Sequence, residues 1–156
     1  FRSEFMTLTS GGGIISSVFS HYDLRSGEDI NSRRNGVLVS MVSGKSLGFS
    51  LFNLQPRGRL FINPNEAIYE GMIVGIHSRG NDLPVNPIKG KQLTNVRASG
   101  TDENIVLTPP VKYTLEQAIE FIDDDELVEI TPNHIRLRKK LLTENERKRA
   151  SRAKVE

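Results

Sequence analysis

The chain has 156 residues, 37% of them hydrophobic, with no cysteine and a formal net charge of +2. That length suits one domain, or one domain plus part of another, with an adequate but lean core. Disulfides and thiolate metal sites are excluded, and no run approaches the roughly 18 apolar residues of a membrane helix.

The chain opens on Phe1-Arg2, with Met6 inside an apolar periodic segment, which reads as a cut through a longer protein. No charged, apolar signal segment stands at the start, so the cytoplasm is the expected compartment. Residues 3–9 carry Phe5, Met6 and Leu8 and predict a short helix stopped by Gly11-Gly12-Gly13. Residues 14–22, rich in β-branched and aromatic side chains, predict a strand whose sheet partners would precede Phe1. Residues 23–35 are polar, and a domain boundary is expected inside them.

From Gly36 the pattern turns to strands. Residues 37–42 form one run, and Ser43-Gly44-Lys45 reads as a hairpin turn. After it, Leu47, Phe49 and Leu51 alternate with Ser46, Gly48 and Ser50, predicting a strand whose small-residue face is approached by another backbone. Gln55-Pro56-Arg57-Gly58 reads as a turn, and short strands follow at 60–62 and 72–76. Residues 75–101 read as a long polar loop in which Arg79, Lys89, Lys91 and Arg97 face a single acid, Asp82. Structureless loops beyond about 12–15 residues are uncommon and usually functional or disordered. Mobile cations among amide and hydroxyl donors have the chemistry of a phosphate-facing segment.

Residues 105–107 read as a further short strand before Pro109-Pro110. Thr114 and Gln117 have capping-box spacing, and Leu115, Ala118, Ile119 and Ile122 form one apolar helical face. Strands are predicted at 127–130 and 135–138. Thr143 with Glu146 repeats the capping box ahead of a helix with almost no apolar face.

Charge is unevenly placed. Nine Lys and Arg stand against two Glu from His134 to Lys154, a local +7 that leaves about −5 elsewhere. The segment 116–129 is acidic without one base, which suggests a basic nucleic-acid surface with an acidic face apart from it. Strand alternation puts Arg136 and Arg138 on one face, about 7 Å apart, a spacing suited to successive phosphates. The bland alternative is a charged edge that resists aggregation. Lys139, Lys140 and the Arg147, Lys148, Arg149 cluster extend the basic set. Aromatics are sparse near these bases in sequence, which favours phosphate and shape recognition of folded RNA over base stacking.

Other motifs carry little. Gly44-Lys45-Ser46 resembles the end of a phosphate loop, but Val39 stands where that loop needs glycine and no helix is predicted after it. Asp123-Asp124-Asp125-Glu126 lacks regular oxygen-ligand spacing and reads as a solvated helix end, with Arg136 or Lys140 as the bases expected to offset it. His21, His77 and His134 lack metal-ligand spacing and read as ordinary polar contacts. No catalytic constellation is evident, and the chain is read as having no turnover of its own, no cofactor and no metal.

Four blocks carry a resemblance: Asn35-Gly-Val-Leu-Val-Ser, Tyr69-Glu-Gly-Met-Ile-Val-Gly-Ile-His-Ser-Arg79, Lys91-Gln-Leu-Thr-Asn-Val-Arg-Ala-Ser-Gly-Thr-Asp-Glu103 and Leu115-Glu-Gln-Ala-Ile-Glu-Phe-Ile-Asp-Asp-Asp-Glu-Leu-Val-Glu129. Together they resemble the C-terminal region of the BipA (TypA) family, bacterial translational GTPases related to elongation factor G. The resemblance implies an α+β, mainly β fold. Residues 1–24 would be the last helix and strand of a ferredoxin-like domain V, 25–143 a barrel-like β-rich domain particular to the family, and 144–156 a basic helical tail. It further implies that GTP and Mg belong to a GTPase domain upstream. The expected partners are the ribosome, its large-subunit rRNA and the acceptor end of A-site tRNA, with no DNA and no membrane. Residues 78–101 would correspond to the loop that reaches toward that tRNA. Ribosome assembly, cold and stress adaptation and virulence regulation are the implied roles. A protein-binding adaptor, using the acidic block and the last helix, is the alternative.

Overall fold

A computed structural model describes residues 2–10, 12–24, 33–90 and 105–153. The chain divides into two compact units, Phe1–Ser32 and Arg33–Glu156.

In the first unit, α1 (Arg2–Leu8) ends where the Thr9 hydroxyl donates to the Phe5 carbonyl (2.8 Å) and accepts from the Gly13 amide (3.0 Å). The expected strand over 14–22 is not formed. Ile14 and Val18 are 94% and 92% exposed, and no strand occurs among the described residues of this unit. Strand propensity without a neighbouring edge leaves the backbone groups without a ladder, and propensity alone does not hold a strand.

The second unit is built on β1 (Val37–Ser40) and β5 (Met72–His77). All four β1 residues are buried, as are five of six in β5, because both faces of the sheet are covered. The remaining sheet strands are β3 (Gly58–Leu60), β6 (Leu83–Val85), β7 (Glu126–Ile130) and β8 (Ile135–Lys139), in the order β6-β1-β5-β8-β7 with β3 also pairing β5. Pairing is antiparallel except for β1 with β6, which is parallel. The fold is α+β as expected, but among the described residues the sheet stays open, with β6 and β7 at the ends of its strand order and β3 paired to β5 alone, and does not close as a barrel.

Alternation across the sheet builds two cores. Leu38 and Val74 pack with Leu51, Leu54, Leu60 and Val85 under α2 (Gly48–Leu54). Val37, Val39, Ile73 and Leu137 pack with Ala118 of α3 (Leu115–Phe121) on the other face. The α3 capping box forms as its spacing predicts, with Thr114 and Gln117 exchanging bonds. The last helix, α4 (Glu144–Ala153), buries no residue, in keeping with its missing apolar face.

Four sequence expectations need correction. Residues 48–54 are helical, not a strand: Ser50, Leu51 and Leu54 are the buried positions, a spacing of three and four that a short segment shares with alternation. The close backbone approach is real, since the Ser46 and Ser50 hydroxyls donate to the Asn63 and Asn86 carbonyls, each at 2.6 Å. Gly44–Lys45 is not a turn but a strand, β2, paired with β4 (Ala67–Ile68). The long loop is interrupted by β6, where Pro84 sits in an edge strand, the place in a sheet that tolerates a missing amide donor. Residues 105–107 are not a strand; Gln55 instead donates to the Val106 carbonyl (3.2 Å) and accepts from the Thr108 amide.

Candidate nucleic-acid interface

The site begins with a buried ionic cluster that fixes one end of the sheet. Glu126, 1% exposed at the start of β7, takes both Arg33 guanidinium nitrogens at 2.8 and 2.9 Å. Lys139, 2% exposed at the end of β8, reaches Asp82, Asp125 and Glu126 at 2.6, 2.9 and 2.9 Å. Arg33 also meets Asp123 at 3.0 Å and lies 4.4 Å over the Phe121 ring. Asp82 in turn accepts the Val37 amide at 2.9 Å. One cluster therefore joins the entry to β1, the entry to β6 and the β7–β8 hairpin.

Burial pulls the Lys139 ammonium toward neutrality, but hydrogen bonds to its three carboxylates outweigh this and push it up to about 12. Burial likewise raises Glu126, and the bonds from Arg33 and Lys139 leave it below its ordinary 4.5. The signs give a pH prediction. A depressed carboxylate contributes stability that is complete above 4.5 and lost as pH falls through its folded value. A raised lysine contributes below 10.5 and loses that contribution as pH rises through about 12. Urea midpoints across pH should be flat between these limits and fall first on the acid side.

The cluster redraws the basic surface. Lys139, expected among the phosphate contacts, points inward and is committed to carboxylates. The acids at the end of α3 are only partly solvated: Asp124 and Asp125 are exposed, Glu126 is buried, and the bases that meet Asp123, Asp125 and Glu126 are Arg33 and Lys139, not the side chains of Arg136 or Lys140. Arg136 and Arg138 do share the face opposite Leu137, both half-buried. Arg136 lies 3.7 Å from Glu129, which accepts the Tyr69 hydroxyl. Burial and this carboxylate hold the Tyr69 phenol well above its ordinary value. Arg147 folds onto the Leu141 and Leu142 carbonyls, Lys148 pairs with Glu144 at 2.6 Å, and Lys140 and Arg149 are exposed. Lys91 and Arg97 lie outside the described residues.

Arg79 and Lys89 are exposed, and the fold adds two cations that the sequence reading passed over. The Arg79 carbonyl accepts the Gly36 amide (2.8 Å), which puts Arg34 and Arg79 at the same end of the sheet. The Ser78 amide donates to the Arg57 carbonyl (2.8 Å), bringing Arg57 beside them. Arg57 also lines a cleft with Lys89. Among the described residues, none of Arg34, Arg57, Arg79 and Lys89 has an acidic partner within 4 Å. In the sequence Arg57 is only part of a Gln-Pro-Arg-Gly turn; Arg34 comes from 23 positions before it, and Arg79 and Lys89 from 22 and 32 positions after it.

The histidines behave as expected: His77 is buried against the Asn81 carbonyl and His21 contacts Ser20 at 2.8 Å. Among the described residues there is no metal-holding group, and no helix is long and apolar enough to cross a membrane.

The family model of the TypA/BipA C-terminal domain matches residues 35–144, which contain the whole sheet. The chain belongs to the TypA/BipA family. It is 65% identical over 152 residues to the large ribosomal subunit assembly factor BipA of Haemophilus influenzae, covering 97% of this chain and 25% of that protein. The Escherichia coli K12 protein of the same name is 63% identical over 154 residues, covering 98% and 25%. That of Buchnera aphidicola is 61% identical over 154 residues, covering 99% and 25%. The chain thus spans about a quarter of the length of these TypA/BipA relatives.

Proposed function

We propose that this chain is the ribosome- and RNA-binding C-terminal part of a TypA/BipA translational GTPase acting in large-subunit assembly. The observation that carries this reading is the exposed group Arg34, Arg57 and Arg79 at one end of the sheet, with Lys89 further along the cleft that Arg57 lines, while the acids Asp82, Asp123 and Glu126 are spent on Arg33 and Lys139. Cations with no acidic partner among the described residues are what an RNA backbone recruits, and each phosphate they neutralise releases counterions. Docking near the A site, with residues 78–101 toward the tRNA acceptor end and adjacent large-subunit RNA, follows from the family resemblance. Lys91, Arg97, Arg136, Arg138, Lys140 and Arg149 would add contacts around that core. GTP hydrolysis and its Mg ion belong, on this reading, to the upstream part of the protein, and its cellular setting is the cytoplasm in stress and cold adaptation and in virulence regulation. The adaptor alternative loses part of its acidic surface, because Asp123, Asp125 and Glu126 face bases within the fold.

The test is sedimentation with large ribosomal subunits across a salt series, beside an Arg57/Arg79/Lys89 triple-alanine variant. Binding should fall steeply with salt, and the variant should bind more weakly with a slope shallower by about two log units per log salt. Binding indifferent to salt and to the variant would point to a protein partner.

A further inference from the structure

The cleft beside Arg57 has features that a general phosphate surface does not require. It encloses about 560 Å³, within the size range of small-ligand sites. One wall is Phe49, Asn53 and Arg57, at four-residue intervals along α2 and the 3₁₀ turn Gln55–Arg57 that continues it. The other is Pro84, Asn86 and Lys89, from β6 and the residues after it. The Ser50 hydroxyl ties the two walls together through the Asn86 carbonyl at 2.6 Å, so the cleft is built into the fold. Among the described residues, no acid lines it.

The lining combines three chemistries at one place. Arg57 and Lys89 supply charge for a phosphodiester. Phe49 is half-buried and presents an aromatic ring in the cleft, where a base can stack. The Asn86 Oδ1 is occupied by the Ile88 amide (3.1 Å), which leaves its amide group as a donor toward a base edge. From sequence, aromatics looked remote from the basic residues; the fold brings Phe49 into one cleft with two of them.

We infer that this cleft holds one unpaired nucleotide of single-stranded RNA, its base against Phe49 and its phosphates at Arg57 and Lys89. The inference rests on the RNA-binding reading above and deepens it: the chain grips an extruded or terminal nucleotide as well as following duplex backbone. The strand contacts should persist without any help from residues outside the cleft.

The test is fluorescence anisotropy of the whole chain with labelled single-stranded hexa-adenylate, beside Phe49→Leu and Lys89→Ala variants and the subunit sedimentation above. Phe49→Leu keeps an apolar side chain at the packed position, and its melting temperature verifies folding. The expected result is about a tenfold loss of hexa-adenylate affinity for Phe49→Leu with little change in salt slope. For Lys89→Ala the slope should become shallower by about 0.7. Unchanged hexa-adenylate affinity in Phe49→Leu overturns the inference. So does subunit binding without any hexa-adenylate binding, which leaves the RNA-surface reading standing. Loss of both kinds of binding in the wild-type chain overturns both readings. Adenosine monophosphate competing as well as unlabelled hexa-adenylate would show a free-nucleotide site and overturn the strand assignment.

Discussion

Glu126→Ala should destabilise the sheet unit by about 3–5 kcal/mol, the range for breaking a buried ion pair by removing one partner. The carboxylate is fully buried, and among the described residues it is the one acid that touches both Arg33 and Lys139. Without it, two cations remain in a poorly hydrated site with only the more exposed Asp82, Asp123 and Asp125 to answer them. The Asp123 amide also loses its acceptor on Glu126, at 3.1 Å, where α3 gives way to β7. Lys139→Met should cost less, because Asp82 and Asp125 are 41% and 59% exposed and can turn to water. Urea titration of both variants measures this ordering. A Glu126→Ala loss under about 1 kcal/mol, or a larger loss for Lys139→Met, would refute the account of the cluster as the clasp between β1, β6 and the β7–β8 hairpin.

That cluster also marks the limit of what the sequence makes legible. The local signals hold: the Thr114–Gln117 capping box, the β7 and β8 pattern, the buried run of β5. Each is written in residues within a few positions of one another. Arg33 and Glu126 are 93 positions apart, and nothing local says that a base at the edge of a polar stretch will neutralise the acidic block. Lys139 looked like its neighbours Arg138 and Lys140, and only the side of β8 on which it falls separates a structural lysine from a surface one. The misreading of 48–54 has another cause, since seven residues with apolar side chains at 49, 51, 52 and 54 satisfy two periods at once. The candidate site was half visible: Arg79 and Lys89 come from composition, whereas Arg34 and Arg57 join Arg79 through the β1–β5 and β3–β5 pairings, and Phe49 meets Lys89 through the bond that ties α2 to Asn86.

Gly58→Ala should damage stability and RNA binding together, whereas Arg57→Ala should damage binding alone. A Cβ on Gly58 would lie 1.7 Å from the Ile76 carbonyl oxygen, an atom of the central strand that cannot move aside. The backbone here is extended, at φ 163°, so the objection to a side chain is the close approach of two strands and not a forbidden conformation. Relief requires β3 to shift away from β5, which weakens the pairing of Gly58, Arg59 and Leu60 with His77, Ile76 and Gly75 and loosens Leu60 from the core. Overpacking of this kind costs about 1–3 kcal/mol, and more where backbone must yield. The same shift carries Arg57 away from Ser78, whose amide it holds at 2.8 Å, and so opens the end of the sheet where the unpaired cations gather. Arg57→Ala leaves that carbonyl bond and the β3 ladder in place, so its melting temperature should match the wild type while its salt slope becomes shallower by about 0.7–0.9. If Gly58→Ala kept both its melting temperature and its affinity, the strand contact would not be what positions Arg57. Loss of stability with affinity retained would place the RNA contacts on Arg79 and Lys89 without it.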